Sequence, residues 1–310
     1  MITKFPKCSV VIPTAHRNEE LERCLAAVMQ QTHPSFDAIV VDNSSGDPMT
    51  REIAEKFGAR YVHEPRTGLC RARNRGALVS TAEVVAYLDD DSVPEPGWLA
   101  AFAHEFDDER VMAASGKTIP IQTDTESEVL FAKVRGGAYD RSAHLVVNRD
   151  HPRWFEICGF GGIGPECNMA VRRKAFEVWP GFNERTDRGT PVHGGGEQYA
   201  FFSLVARGFS VAYTPDAVVR HPFPPTMEIL QRRYLQDLTA STAYFTMLLV
   251  EESGYRAATL RYVWEAIGGT TRDWRNNPGN RPRIASRARS ALALALGPFR
   301  YVQGLVTSHS

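Results

Sequence analysis

Cysteine is scarce in this chain. The five present (Cys8, Cys24, Cys70, Cys158 and Cys167) are odd in number, with no CxxC pair and no zinc-type spacing. This argues against a disulfide scaffold and a structural zinc site, and Cys8 and Cys24 read as small core residues of a protein kept in a reducing, cytoplasmic setting. Long hydrophobic runs are missing too. The longest, Phe245–Val250 and Ala291–Leu296, fall far short of the roughly 18–20 apolar residues that span a bilayer. The opening stretch Met1–Lys7 is short and polar and shows no signal-peptide pattern. Net charge is also absent: 36 basic residues balance 36 acidic ones, which removes any general electrostatic drive toward nucleic acid. No internal repeat and no low-complexity tract interrupts the chain.

What remains is a 310-residue sequence, 43% hydrophobic, long enough for one large α/β domain or two smaller ones with a real core. Its first hundred residues alternate two periodicities. Short apolar runs at Cys8–Pro13, Phe36–Val41, Ala59–His63 and Val84–Leu88 predict buried strands. Between them, Leu21, Cys24, Leu25, Val28 and Met29 recur at helical spacing behind Asn18 as a cap, and helices are expected over about 50–57 and from Thr67–Arg71 through Leu78. Such alternation predicts a parallel sheet with helices on both faces, whose ligands bind beyond the carboxyl ends of the strands. The middle third is less regular. Thr123–Asp150 is polar and mixed, Gly159–Gly164 holds four glycines in six residues, and Thr186–Gly196 is a glycine-rich loop before a helix over about 197–207. A short helix is expected at Arg172–Val178, then a strand at Phe209–Tyr213 and an extended piece at Ala217–His221. From Thr226 onward the chain reads as helical, broken near Asn276–Pro282.

Three consecutive aspartates, Asp89, Asp90 and Asp91, close the Val84–Leu88 run. Three carboxylates at one strand exit repel one another and resist burial. Two readings follow: a solvated acidic turn helped by Ser92 and Pro94, or a site for a hard divalent cation such as Mg²⁺ or Mn²⁺. Asp42 ends the Phe36–Val41 strand and so faces the same crevice. It can accept the N–H of a uracil, thymine or guanine base, or form a local turn with Asn43 and Ser44. Arg71, Arg73 and Arg75 can neutralise phosphate, pair with Asp42 or Asp89, or line a solvated helix face.

Five blocks in order carry a resemblance. They are Ser9-Val10-Val11-Ile12-Pro13-Thr14, Ile39-Val40-Val41-Asp42-Asn43-Ser44-Ser45, Gly68-Leu69-Cys70-Arg71-Ala72-Arg73-Asn74-Arg75-Gly76, Tyr87-Leu88-Asp89-Asp90-Asp91, and Asn168–Arg173 followed by Gly181-Phe182-Asn183-Glu184. Together, over roughly residues 8–222, they resemble the family 2 glycosyltransferases with the GT-A fold. The resemblance implies a Rossmann-like mixed sheet with helices on both faces plus a C-terminal helical extension. It implies a nucleotide-sugar-binding half over 1–115, an acceptor half over 116–225 and a helical region over 226–310. The implied activity is metal-dependent, inverting transfer of a hexosyl-type sugar from a nucleoside-diphosphate-sugar donor to an acceptor hydroxyl. That acceptor is a glycan, a lipid-linked sugar or a small natural product.

Carried over residue by residue, Pro13, Thr14 and Asp42 would meet the base, and Arg71 and Asn74 would lie under the nucleotide. Asp89 would meet the ribose or sugar, Asp90 would orient its neighbours, Asp91 would ligate Mn²⁺ or Mg²⁺, and His221 would sit near the metal and diphosphate. The family places its base in a Glu-Asp pair after a glycine loop; here the stretch reads Gly194-Gly195-Gly196-Glu197-Gln198-Tyr199-Ala200. Gln198 cannot take a proton. Glu197 is the favoured base, with Glu166, Glu184 and Asp187 as other carboxylates, and a catalytically impaired nucleotide-sugar-binding protein is the alternative. Trp154 and Trp179 are open to stacking on an acceptor ring or to core packing. A sugar-phosphate nucleotidyltransferase is disfavoured, because Thr14-Ala15-His16-Arg17-Asn18 is not the glycine-rich loop that chemistry needs. The tail carries Arg272, Arg275, Arg281, Arg283, Arg287, Arg289 and Arg300 against Asp273 alone, so three fates are open to it: an anionic membrane surface, the catalytic domain, or a second subunit of a homodimer.

Overall fold

The computed structural model describes residues 5–139, 142–267 and 284–307, and they divide into two compact units. The first comprises Met1–Ile121, Ala138–Asn183 and Glu197–Pro222. Its amino-terminal half follows the expected alternation: β1 (Cys8–Thr14), α1 (Asn18–Val28), β2 (Phe36–Asp42), α2 (Pro48–Lys56), β3 (Arg60–His63), α3 (Leu69–Val79) and β4 (Val84–Leu88). The predicted apolar positions of α1, Leu21, Cys24, Leu25 and Val28, are all buried. Asn18 does not cap α1; it is the first helical residue. Its amide is drawn away instead, donating to Asp47 and accepting from Thr50.

The chain continues through β5 (Val93–Pro94), α4 (Trp98–Glu105) and β6 (Val111–Pro120). After α5 (Glu126–Tyr139) come β7 (Leu145–Val147), α6 (Trp154–Gly159), β8 (Asn168–Arg172), a 3₁₀ turn at Arg173–Glu177, α7 (Gly196–Ala206) and β9 (Ser210–His221). Among the described residues nine strands form one sheet, ordered β3-β2-β1-β4-β8-β6-β9-β5, with β7 on β9. The first four strands are parallel, as expected from the alternation. β8 then enters antiparallel to both β4 and β6, so the whole sheet is mixed. Asn168 pins this junction: its side chain donates to the carbonyls of Lys117 and Ala217 and accepts from Trp98 Nε1. All the amide's polar atoms are therefore engaged in a position with no solvent exposure.

Two apolar clusters pack against the sheet, one centred on α1 and α4, the other on α3, α7 and Trp179. Trp179 is buried against Phe176 and Phe182, and Trp154 stacks on Phe202. Trp179 is thereby a core residue, while Trp154 is half-buried at the edge of the same cluster. The five cysteines are free and buried.

The second unit comprises Gln122–Gly137, Glu184–Gly196 and Phe223–Ser310. Its main helices are α8 (Met227–Glu251), α9 (Arg256–Ile267) and α10 (Arg287–Thr307). Thr226 caps α8 through a bond from Ile229 N. Phe131 packs edge-on against Phe223, within a cluster that includes Leu230 and Ile284, which places the 122–137 segment with the carboxyl-terminal helices. The expected break near Asn276–Pro282, and Arg272, Arg275, Arg281 and Arg283, lie outside the described residues.

Candidate active site

In the first unit the strand order 3-2-1-4 reverses between β1 and β4, and in open α/β sheets a ligand crevice opens beyond the strand ends at such a point. Thr14 ends β1, and Asp89–Asp91 follow β4. The loop joining β1 to α1 is tight enough to hold His16 at φ 57, a left-handed conformation uncommon for a side-chain-bearing residue and concentrated at functional loops. That turn delivers Arg17 onto the aspartates. Its Nη1 lies 2.9 Å from Asp90 Oδ1 and its Nη2 2.8 Å from Asp91 Oδ2. Thr14 Oγ1 donates to the other Asp90 oxygen at 2.8 Å. Burial pushes the Asp90 carboxyl up to about 7, even though Arg17 and Thr14 oppose the shift.

Asp91 turns its remaining oxygen inward. Oδ1 is buried with no hydrogen-bond partner among the described residues, and it lies 3.3 Å from His221 Nε2. Asp89 Oδ2 is 3.9 Å from the same nitrogen. His221 Nδ1 sits 2.7 Å from the carbonyl oxygen of Pro222. A carbonyl only accepts, so Nδ1 carries a proton, and Nε2 is the ring nitrogen turned toward the carboxylates and the one that could ligate a cation. One ligand atom from each of Asp89, Asp91 and His221 falls within 4.8 Å of the others. Two carboxylates and one imidazole fit a divalent cation such as Mn²⁺ or Mg²⁺. The three side chains come from the ends of β4 and β9, elements about 120 residues apart in sequence that the sheet brings together.

Behind Asp89 stands Arg73, itself 1% exposed. Its Nη2 is 3.7 Å from Asp89 Oδ1, and its Nη1 is 3.4 Å from Glu166 Oε2. Glu166 and Glu197 in turn bring carboxylate oxygens within 4.8 Å of each other. Glu197 lies buried in the first turn of α7. An unbroken series of charged side chains therefore links the aspartates to Glu197. Gln198, beside it, has a buried Oε1 with no partner among the described residues. In the second unit, Asp187 spends its Oδ1 on the backbone N–H of Gly196 at 3.1 Å.

Two donor-site expectations meet a different geometry. Asp42 is fully buried, and its oxygens accept from Ser44 N and Oγ, Asp47 N and Tyr61 Oη. Burial alone would raise its pKa, but these four bonds outweigh it and the net shift is downward. In this structure the carboxylate faces its own loop and holds the turn together. Asn74 donates to Phe182 O and accepts from Phe182 N, each at 2.9 Å. It clamps α3 to the Gly181 turn, where a Cβ would meet its Oδ1 at 2.7 Å. The amide thus braces the two segments. Arg71 is half-buried and donates to Thr67 O at 3.5 Å. Pro13 lies within β1, opposite Val41.

Arg17 is the residue that sequence reasoning missed. It lies in the Thr14–Asn18 loop, whose sequence shows no glycine pattern. The available signal was a lone arginine three residues past the end of the first strand, at a sheet edge already expected to gather three carboxylates.

The mixed nine-stranded sheet with helices on both faces has the architecture of the GT-A glycosyltransferases. The sequence profile of glycosyl transferase family 2 matches residues 9–179, and the chain belongs to that family. The glycosyltransferase AglE of Haloferax volcanii is 27% identical over 248 residues, covering 76% of this chain and 73% of AglE. The pre-mycofactocin glycosyltransferase of Mycobacterium tuberculosis is 23% identical over 240 residues, 76% of this chain but 45% of its own length. A mannosyltransferase from Pyrobaculum calidifontis, solved in complex with GDP-mannose and Mn²⁺, superposes with a TM-score of 0.58 at 16% identity, over 98% of this chain and 87% of that one.

Proposed function

We propose that this protein transfers a sugar from a nucleoside-diphosphate-sugar to an acceptor hydroxyl, with inversion, using a divalent cation held by Asp91 and His221. The observation that carries the reading is the Asp89–Asp91–His221 cluster, with Asp91 Oδ1 buried, without a hydrogen-bond partner among the described residues and 3.3 Å from His221 Nε2. The relative solved with GDP-mannose and Mn²⁺ makes a nucleotide sugar and Mn²⁺ the first combination to try. When bound, such an ion neutralises the charge that gathers on the departing diphosphate.

The chain's own residues supply the rest. Asp91 and His221 offer the ligand atoms. Asp89 is held between His221 and Arg73 and addresses the ribose or sugar. Asp90, fixed by Thr14 and Arg17, orients its neighbours. Thr14 and Pro13 form the floor beside the base, while Asp42 shapes the loop next to them. Arg71 lies at the helix start below the nucleotide. Glu197 is the best-supported base: Glu166 is paired with Arg73, and Asp187 is committed to Gly196. A carboxylate there removes the acceptor proton as the anomeric bond breaks.

Gln198 supports a second reading, a nucleotide-sugar binder with little transfer, since a glutamine stands where the family carries an aspartate and its Oε1 is unsatisfied. Release of nucleoside diphosphate from UDP-, GDP- and dTDP-sugars, measured with and without Mn²⁺ against a panel of acceptors, separates the two. The enzyme reading expects metal-dependent release that falls at least about 10²-fold in Glu197→Gln, with donor binding retained. Binding without turnover in the wild type sinks it. Full turnover in Glu197→Gln sinks only the base assignment.

A further inference from the structure

Helix α10 contains three charged residues, Arg287, Arg289 and Arg300, and no acid. Its two long faces differ. Ala293, Gly297, Tyr301 and Gly304 are buried, and the structure shows this face on α8. A Cβ on Gly297 would meet Thr242 Oγ1 at 1.9 Å and the backbone of Ala243 at 2.5 Å, so the two helices touch backbone to backbone. Pro298 has no N–H to give the Leu294 carbonyl one turn back. The Thr242 hydroxyl donates to that carbonyl at 2.8 Å, and Thr239 donates to Ala293 O at 3.0 Å. α10 is therefore bound firmly in one rotational setting.

That setting turns the opposite face outward. At 100° per residue, Leu292, Leu296, Phe299, Val302 and Val306 fall on one arc about 120° wide, shared with Ala288, Ala295 and a single polar residue, Gln303, and lying roughly opposite the packed face. All five are exposed, Phe299 at 71%, Val306 at 67% and Leu292 at 62%. Arg289 and Arg300 share one flank of the arc. There a groove of about 670 Å³ runs between α10, α8 and the 190–193 loop, lined in part by Leu292, Leu296, Arg232, Arg289, Arg300 and Glu228. Three guanidiniums thus face one carboxylate. Arg289 and Arg300 bond to the neutral amides of Gln231 and Gln303, so their charge has no counter-ion among the described residues.

An apolar arc flanked on one side by uncompensated arginines, on a helix without acids and locked in orientation, is complementary to an anionic lipid surface. No helix of the described residues is long and apolar enough to cross a membrane. We propose that α10 lies in the plane of an anionic phospholipid bilayer, with Leu292, Leu296, Phe299, Val302 and Val306 in the acyl boundary and Arg232, Arg289 and Arg300 at the phosphates. This surface stands independently of the donor-site reading.

Flotation of the full-length chain with phosphatidylcholine vesicles, and with the same vesicles containing about one-third phosphatidylglycerol, tests it. The wild type is expected to float with the anionic vesicles and stay behind with the neutral ones, and 0.5 M salt should release it, because at roughly that ionic strength surface charges are screened within a few ångströms. Arg289→Gln with Arg300→Gln should lower the partition coefficient about five-fold per arginine. Phe299→Asp should abolish flotation. Both variants change exposed positions, and unchanged melting midpoints would confirm that they fold. Wild type that fails to float with anionic vesicles overturns the proposal, as does flotation unaffected by both variants. A concentration-dependent dimer that Phe299→Asp dissociates, with no vesicle binding, assigns the face to a second copy and overturns it equally.

Discussion

Arg17 holds two of the three aspartates in this structure. Asp90 and Asp91 are nearly buried, whereas the Arg17 side chain is 37% exposed. Replacing it with glutamine leaves buried carboxylates uncompensated. The expected loss is about 1–3 kcal/mol, toward the lower end because solvent already screens the guanidinium. Urea denaturation of Arg17→Gln, without metal, checks this. Added Mn²⁺ should recover more stability in the variant than in the wild type, since the ion then supplies the missing positive charge.

Asp90 gives a pH dependence with a definite sign. Burial lifts its folded pKa to about 7, above the roughly 3.9 of an unfolded aspartate. Between these values the folded state keeps a proton that the unfolded state releases, so metal-free stability falls as pH rises through that window. Asp90→Asn should flatten this fall in urea midpoints measured from pH 4 to 7. An unchanged slope would mean that Asp90 is ionised throughout. Asp89–Asp91 were legible in the sequence because a strand exit and a charge run coincide there. The inward turn of Asp42 and the bracing by Asn74 were not, since strand position alone says nothing about how many donors surround a side chain.

At the scale of elements, the regular half was readable and the irregular half was not. β1 to β4 and the helices between them follow from runs of branched apolar residues and from the Leu21–Val28 spacing. β6 escaped notice because Val111–Pro120 mixes small and polar residues, Ala-Ala-Ser-Gly-Lys-Thr, with no sustained apolar run. α5 was hidden for a related reason: it carries Gly-Gly near its end and is only weakly amphipathic, so Thr123–Asp150 read as irregular where the structure has a helix and the short strand β7. The Arg172–Val178 helix shrinks to a 3₁₀ turn because β8 runs through Arg172. The crossing of α8 and α10 offers a direct test. Gly297→Val must force the helices apart against the Thr242 side chain and the Ala243 backbone. The expected destabilisation is at least about 1–3 kcal/mol, and proteolysis within α10 should accelerate. Native resistance in Gly297→Val would place the contact elsewhere.

At the scale of the whole molecule, family membership and the GT-A architecture follow from the profile match and the sheet topology together. On the proposed reading, two carboxylates and an imidazole, with Arg17 already against Asp91, would bind a divalent ion weakly alone and more strongly once a diphosphate completed its coordination. Loss of Asp91 or His221 removes ligands and is expected to weaken metal binding by at least about 10-fold, the lower range seen even for supporting residues.

The most direct test is a Mn²⁺ titration followed by electron paramagnetic resonance, which reads the free ion, in the absence and presence of UDP, GDP or dTDP. Wild-type protein should take up little Mn²⁺ alone and about one equivalent with its matching nucleotide, while Asp91→Asn and His221→Ala should take up far less. Protein-dependent uptake that no nucleotide enhances, or that survives both substitutions, would contradict the assignment of this cluster as the metal and donor site.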